Sequence, residues 1–203
     1  MKRGMVFDLR RCIGCNACVV ACKQENSLPD GVFFTKTLSE EYGVYPAANR
    51  VYIPTLCNHC EDAPCEKVCP SGATYTRDDG IVMVDDALCI GCGTCAVACP
   101  YDQRTQMDAD NLKNGMYGGG NLTDFEKQGY GRWTPGTVTK CDFCSQRVDA
   151  GLEPACVVTC PTDARIFGDL DDPNSAPNKL IRERGGMPAL SDKNTKPKVY
   201  YVD

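Results

Sequence analysis

Sixteen cysteines fall into four groups of four along 203 residues. The first group, Cys12, Cys15, Cys18 and Cys22, lies in the phrase "CIGCNACVVAC"; the third, Cys89, Cys92, Cys95 and Cys99, repeats it almost letter for letter as "CIGCGTCAVAC". Both read C-x2-C-x2-C-x3-C. The second group, Cys57, Cys60, Cys65 and Cys69, widens the middle gap to four residues, and the fourth, Cys141, Cys144, Cys156 and Cys160, widens it to eleven. A C-x2-C loop gathers two thiolates and several backbone N–H groups around one metal–sulfur corner, and the next cysteine adds a third ligand. The closing pair, at i and i+4, can open a short helix, which carries the last sulfur one turn further along. That sulfur is badly placed for the same cube and better placed for a second cluster beyond the helix. The same crossing characterises the bacterial run C-x2-C-x2-C-x3-C-P. Pro70, Pro100 and Pro161 follow the last cysteine of motifs two, three and four, where each stops its helix. Lys23 stands there in motif one, so that helix can run on through "KQEN".

Strand signals flank these loops. "GMVFDL" leads into motif one, "RVYIPTL" into motif two and "TVTK" into motif four, while "ARIFGD" follows it. Between motifs two and three, "ATYTRDDGIVMVD" joins two β-rich runs around Asp79-Gly80, a strong hairpin signal. Strand, cysteine loop, short helix, strand is half of a ferredoxin, and the chain holds four such halves. Residues 24–50 read as an irregular connection. Residues 102–136, with "NGMYGGGNLTDFEKQGYGRWTPG", read as too glycine-rich for regular structure, either a plain surface loop or a docking element. The polar stretch 170–203 ends in "KVYYVD" and is expected to wrap a lobe or a partner.

Composition narrows the chemistry. A net charge of −5 with both signs interspersed gives no reason to expect nucleic-acid binding, and no apolar run approaches the ~20 residues of a membrane helix. "MKRGMVFDLRRC" shows no apolar signal region, and no apolar stretch follows Arg10-Arg11. The expectation is a chain without its own export signal or anchor, folded in a reducing cytoplasm where thiols stay free for metal. A disulfide scaffold would need a leader and a different spacing, and zinc sites usually join two C-x2-C pairs across a longer span. A three-iron cluster would leave a group incomplete, and no group is. His59, in "CNHC", is the only histidine and is expected to pack near a cluster rather than ligate. Arg11, Lys23, Lys67 and Lys140 lie beside cysteines, as tuning charges or as ordinary surface cations. Trp133 and the tyrosines read as packing or interface residues. No nucleophile–base pair and no nucleotide-binding glycine loop is visible.

"DLRRCIGCNACVVACK", "LCNHCEDAPCEKVCPSGA", "CIGCGTCAVACPYD" and "TKCDFC…ACVVTCPTDA" resemble the iron–sulfur subunit of the dimethyl sulfoxide reductase family of molybdopterin oxidoreductases. The resemblance covers about residues 4–170, and "IPTLCNHC" leans toward the arsenate and polysulfide types. It implies an α+β fold of two nested bacterial-ferredoxin-like units with long irregular loops. Residues 1–48 and 137–175 would form the outer lobe, 49–105 the inner lobe, 106–136 a glycine-rich insertion and 176–203 a tail. With the last cysteine crossed, it implies four [4Fe–4S] clusters, held by Cys12, Cys15, Cys18 and Cys160; by Cys141, Cys144, Cys156 and Cys22; by Cys57, Cys60, Cys65 and Cys99; and by Cys89, Cys92, Cys95 and Cys69. The alternative is four sequential groups, each with its own cluster. The implied role is non-catalytic: a relay of single electrons between a large molybdenum or tungsten pterin subunit and a membrane quinone-linked or cytochrome partner. A soluble polyferredoxin, or a subunit feeding a hydrogenase or formate-oxidising complex, is the other reading. The implied location is the cytoplasm, or the far side of the membrane after export with a signal-bearing partner.

Overall fold

The structure is a computed structural model and describes residues 1–116 and 118–203. β1 (Arg3–Asp8) enters motif one with every residue after Arg3 buried, because it has strands on both edges. The closing cysteines of motif one lie in α1 (Ala17–Glu25), which runs past Cys22 as the absence of proline allows. β2 (Thr35–Tyr42) and β3 (Asn49–Leu56) then form an eight-residue antiparallel hairpin, in register from Thr35↔Leu56 to Tyr42↔Asn49. This corrects the reading of 24–50 as irregular throughout. Six of the eight residues of β2 are exposed, so burial gives it no clean alternation; pairing with β3 makes it a strand.

Motif two closes in α2 (Pro64–Lys67) and exits through β4 (Thr74–Thr76), which pairs with β5 (Val82–Val84) around Asp79-Gly80 as its sequence predicts. Gly80 takes the positive φ of 81° that the turn demands. Motif three closes in α3 (Thr94–Val97). The four-residue helices α2 and α3 end two residues before Cys69 and Cys99, which a final i→i−3 bond still holds in the turn.

The glycine-rich stretch is not structureless. It holds β6 (Thr105–Gln106), α4 (Ala109–Asn114) and α5 (Asp124–Tyr130), and only Tyr117 within it lies outside the described residues. Thr123 and Glu126 cap α5 reciprocally, a Thr-x-x-Glu signal in plain view in the sequence. β7 (Val138–Thr139) pairs with β6 and delivers the chain to motif four, which carries α6 (Ser145–Asp149) and α7 (Ala155–Val158) before β8 (Arg165–Asp169). α8 (Ala176–Arg184), β9 (Met187–Pro188) and β10 (Val199–Val202) follow.

The largest sheet runs β8-β1-β10-β9. β8 pairs antiparallel with β1, and β10 pairs with β1 in parallel, Met5↔Val199 through Asp8↔Val202. The strand before motif one therefore lies beside the strand after motif four. Helices follow suit: α1 packs on α7, and α2 on α3. Residues 195–198 bond to the motif-two loop, through Asp62 N–H to Thr195 O, Glu61 N–H to Lys196 O and Lys198 N–H to Asn58 O. The tail thus joins the sheet of β1 and ties it to the motif-two loop. No helix among the described residues is long and apolar enough to cross a membrane. The main core interleaves Met5, Phe7, Leu28, Val32, Leu56, Ile81 and Phe143 with Cys18, Cys22, Cys57, Cys141 and Cys156, so the thiols occupy positions a hydrophobic residue would otherwise fill.

Candidate metal centres

All sixteen thiols are free. One cavity is lined by Cys12, Cys15, Cys18 and Cys160, with Ile13, Pro54, Pro161 and Ala164 as its apolar wall. A second is lined by Cys69, Cys89, Cys92 and Cys95, with Pro70, Ala73, Val84 and Ile90. Each takes three cysteines from one motif and the last cysteine from another. The matching walls and four-thiol linings call for the same kind of guest.

The remaining eight thiols show their company electrostatically. Burial, partly opposed by a hydrogen bond with Thr195, pushes the Cys60 thiol up to about 11, and the sulfurs of Cys57, Cys65 and Cys99 add to the rise. Burial likewise carries Cys22 well above the ordinary range, with Cys156 and Cys144 as like-charged neighbours. Cys141 is raised the same way, with Cys22 and Cys144 among its neighbours. Without a cation such sulfurs hold their protons; metal binding must displace them, so the affinity is linked to proton release.

Polar hydrogens reach the sulfurs from fixed positions. Thr74 N–H donates to Cys69 Sγ (3.5 Å), Val138 N–H to Cys89 Sγ (3.4 Å), Ala164 N–H to Cys160 Sγ (3.3 Å) and Phe143 N–H to Cys141 Sγ (3.5 Å). In motif one, where Asn26 stands one turn beyond Cys22, its Nδ2 donates to Cys22 Sγ at 3.5 Å. Burial tends to raise Cys69, but the Thr74 and Ser71 donors outweigh it and bring the thiol down to about 7. Cys160 is lowered by the equivalent pair, Thr162 and Ala164, against the same burial.

His59 is fully buried, stacked on Phe143 with ring centroids 3.8 Å apart, and accepts a hydrogen bond from Val82 N–H at Nδ1 (3.1 Å). It packs beside the cysteines, as expected. Of the four cations beside cysteines, the exposed Arg11 pairs with the buried Asp8, and the exposed Lys67 with Asp62. Lys23 and Lys140 are buried: Lys23 Nζ donates to Pro29 O at 2.7 Å, and Lys140 Nζ to Cys141 O at 2.8 Å and to Val82 O. Arg104 and Arg165 are among the buried cations that escape a sequence reading. Each stands five residues after the last cysteine of its motif, in "CPYDQR" and "CPTDAR", and that repeated offset was the signal to find them.

These residues fit an iron–sulfur cubane. Among the described residues, no three His, Cys, Asp or Glu side chains converge closely enough for a single metal ion. The thiols instead ring a space with apolar walls, as four ligands do around iron and inorganic sulfide. Buried guanidinium nitrogens without a hydrogen-bond partner, Arg104 Nε and Nη2 and Arg165 Nη1, lie in the same places and call for negative charge. Fold and site define a ferredoxin-like metalloprotein of mixed α/β structure, with small sheets that aim short cysteine helices at one another.

The comparisons narrow that class. The 4Fe-4S dicluster domain matches residues 48–114 and 127–170, and a second family described in the same words matches residues 11–73. A Halobacterium salinarum protein provisionally named as the iron-sulfur subunit of a dimethyl sulfoxide reductase is 45% identical, over 98% of this chain and 78% of its own. The arsenate respiratory reductase iron-sulfur subunit ArrB of a Shewanella species is 40% identical over 100% and 96%. A tetrathionate reductase subunit of Salmonella typhimurium is 40% identical over 99% and 72%. The chain belongs to this family of iron–sulfur subunits built on 4Fe-4S dicluster domains, and its cofactors are four [4Fe–4S] clusters.

Proposed function

We propose that this chain is the electron-transfer subunit of a molybdopterin oxidoreductase of the dimethyl sulfoxide reductase family. It passes single electrons between a large pterin-binding catalytic subunit and a membrane quinone-linked or cytochrome partner. It folds in the cytoplasm, and stays there or is exported folded with its catalytic partner. It transforms no substrate itself, because a cluster with four cysteine ligands leaves no iron position open. The clusters, when bound, supply reversible one-electron chemistry; the chain supplies spacing, dry surroundings and hydrogen bonds that set the potentials.

In this reading the chain is two nested ferredoxin-like units. Motifs one and four, in residues 1–48 and 137–175, make the outer lobe, and motifs two and three, in 49–105, the inner one. Pairing of β1 with β8 supports the first, and pairing of β4 with β5 supports the second. The insertion 106–136 and the tail 176–203 are additions to this pair. The ligand sets are crossed: Cys12, Cys15, Cys18 with Cys160; Cys141, Cys144, Cys156 with Cys22; Cys57, Cys60, Cys65 with Cys99; Cys89, Cys92, Cys95 with Cys69.

One observation carries the crossing: Cys160 shares a cavity with motif one although 138 positions (160 − 22) separate it from the end of that motif. Serine substitution followed by electron paramagnetic resonance tests it. Cys160→Ser and Cys15→Ser are expected to alter the same cluster signal, and Cys22→Ser and Cys144→Ser another. A sequential arrangement would instead group Cys160→Ser with Cys144→Ser. Co-purification with a pterin-binding chain under anaerobic conditions tests the wider role, and a stably isolated single chain would oppose it.

A further inference from the structure

Buried charge without a partner is expensive, and a protein keeps it only where something offsets the cost. Arg104 and Arg165 are 6% and 3% exposed. Among the described residues neither forms an ion pair with a carboxylate; each guanidinium is held by one threonine and bonds to one thiol, Cys65 for Arg104 and Cys156 for Arg165. Arg104 Nη1 donates to Thr74 Oγ1 and Arg165 Nη2 to Thr35 Oγ1, both at 3.0 Å. Their other nitrogens include the orphans noted above. Arg165 also lies over the face of Phe7, 4.9 Å from the ring centroid, which fixes its plane.

The two positions are equivalent. Each arginine follows its motif's last cysteine by five residues, and each threonine comes from the strand that follows the companion motif. Arg165 lines the cavity of Cys12, Cys15, Cys18 and Cys160, and Arg104 lines that of Cys69, Cys89, Cys92 and Cys95. Each also meets the neighbouring set. The sulfurs of Cys156 and Cys22 bear on Arg165, and those of Cys65 and Cys57 on Arg104. Burial would lower both guanidinium values; the sulfurs outweigh it and hold both above the ordinary arginine range.

We propose that Arg165 and Arg104 are shared counter-ions, one between the two clusters of each lobe, and that each raises the reduction potentials of both its neighbours. The inference rests on the crossed ligand sets proposed above. Reduction of either neighbour adds one electron's charge beside a fixed positive group, which favours the reduced state. A guanidinium cannot shed its proton in this range, so the effect needs no proton uptake and is independent of pH. The threonine bond and, for Arg165, the aromatic face hold the charge between the pair rather than against one member.

The test is a redox titration followed by electron paramagnetic resonance on the iron-loaded chain, purified anaerobically with its native large subunit. Arg165→Gln is expected to disfavour reduction of two clusters by about tenfold, 59 mV for a one-electron couple, and leave the other two within twofold. Arg104→Gln is expected to do the converse. Arg→Lys at either site should recover part of the loss, and the shifts should match at pH 6.5 and 8.5. Should a glutamine variant fail to retain iron, Arg165→Lys with Thr35→Val, and Arg104→Lys with Thr74→Val, take its place, with smaller falls confined to the same two clusters. Unchanged midpoints, or equal shifts in all four clusters, would overturn the proposal. A wild-type protein lacking four one-electron transitions would instead defeat the proposed function, whatever the variants do.

Discussion

Motifs one and three carry the loop Cys-Ile-Gly-Cys, whereas motifs two and four carry Cys-Asn-His-Cys and Cys-Asp-Phe-Cys. The backbone treats all four alike: Gly14, Gly91, His59 and Phe143 each turn through positive φ, between 43° and 68°. Their surroundings are opposite. Ile13 and Ile90 stand 56% and 68% exposed, while His59 and Phe143 are buried face to face. Glycine suits the outward loops, where a Cβ on Gly14 would strike the Tyr52 ring and one on Gly91 the Gly136 carbonyl. A non-glycine residue in that conformation costs about 1–3 kcal/mol, so the inward loops accept strain for the sake of a ring. What repays them is a stacked joint between motifs two and four. One cysteine frame thus makes either a surface mouth or an internal seam, depending on the residue at its third position.

The seam should be the more fragile. Phe143→Ala removes a fully buried ring, and a loss of about 3–5 kcal/mol is expected, read as a lower thermal midpoint of the iron-loaded protein and faster iron release. His59→Phe keeps the ring but leaves Val82 N–H without its acceptor, for a smaller loss of about 1–3 kcal/mol by the same measurement. If His59→Phe proves as damaging as Phe143→Ala, the histidine nitrogen rather than the stack holds the seam.

A control lies away from both kinds of loop. Asp8 in β1 is buried; burial alone would raise its carboxyl, but Arg184 at 2.5 and 3.1 Å and the Arg10 and Arg11 backbone hold it below its usual value. Its folded value is depressed, so its stabilisation is complete above about pH 4 and lost as pH falls through the folded value. Acid unfolding of Arg184→Leu should differ from wild type at neutral pH and converge with it in strong acid, with no change in the seam variants' relative order. Smallest of all, Ile13→Ser and Ile90→Ser should leave stability within about 0.5 kcal/mol. A larger loss in chemical denaturation would mean that the mouths are packed rather than open.

Much of this is legible in the sequence. Cysteine spacing, the prolines after Cys69, Cys99 and Cys160 and the Asp79-Gly80 turn are local signals, and the loops, short helices and hairpin obey them. β2 was hidden because its strand character comes from a partner beyond the Gly43 turn, not from its own pattern. α5 was hidden differently: its capping box was overshadowed by the glycines before it. Arg104 and Arg165 went unmarked, since charge alone says nothing of burial; their common offset from a cysteine is the one signal the sequence holds for them. Which thiols meet depends on contacts between distant segments, so the spacing within one motif could suggest a crossing but not name the partners.

β1 lies between strands drawn from residues 165–169 and 199–202. During translation it therefore emerges with neither neighbour available, and Cys12 and its companions leave the ribosome long before Cys160 exists. In the crossed ligand sets proposed above, the sulfurs of motif one are complete only once Cys160 has been made. The sheet around β1 therefore closes only after residues 165–169 and 199–202 have both been made.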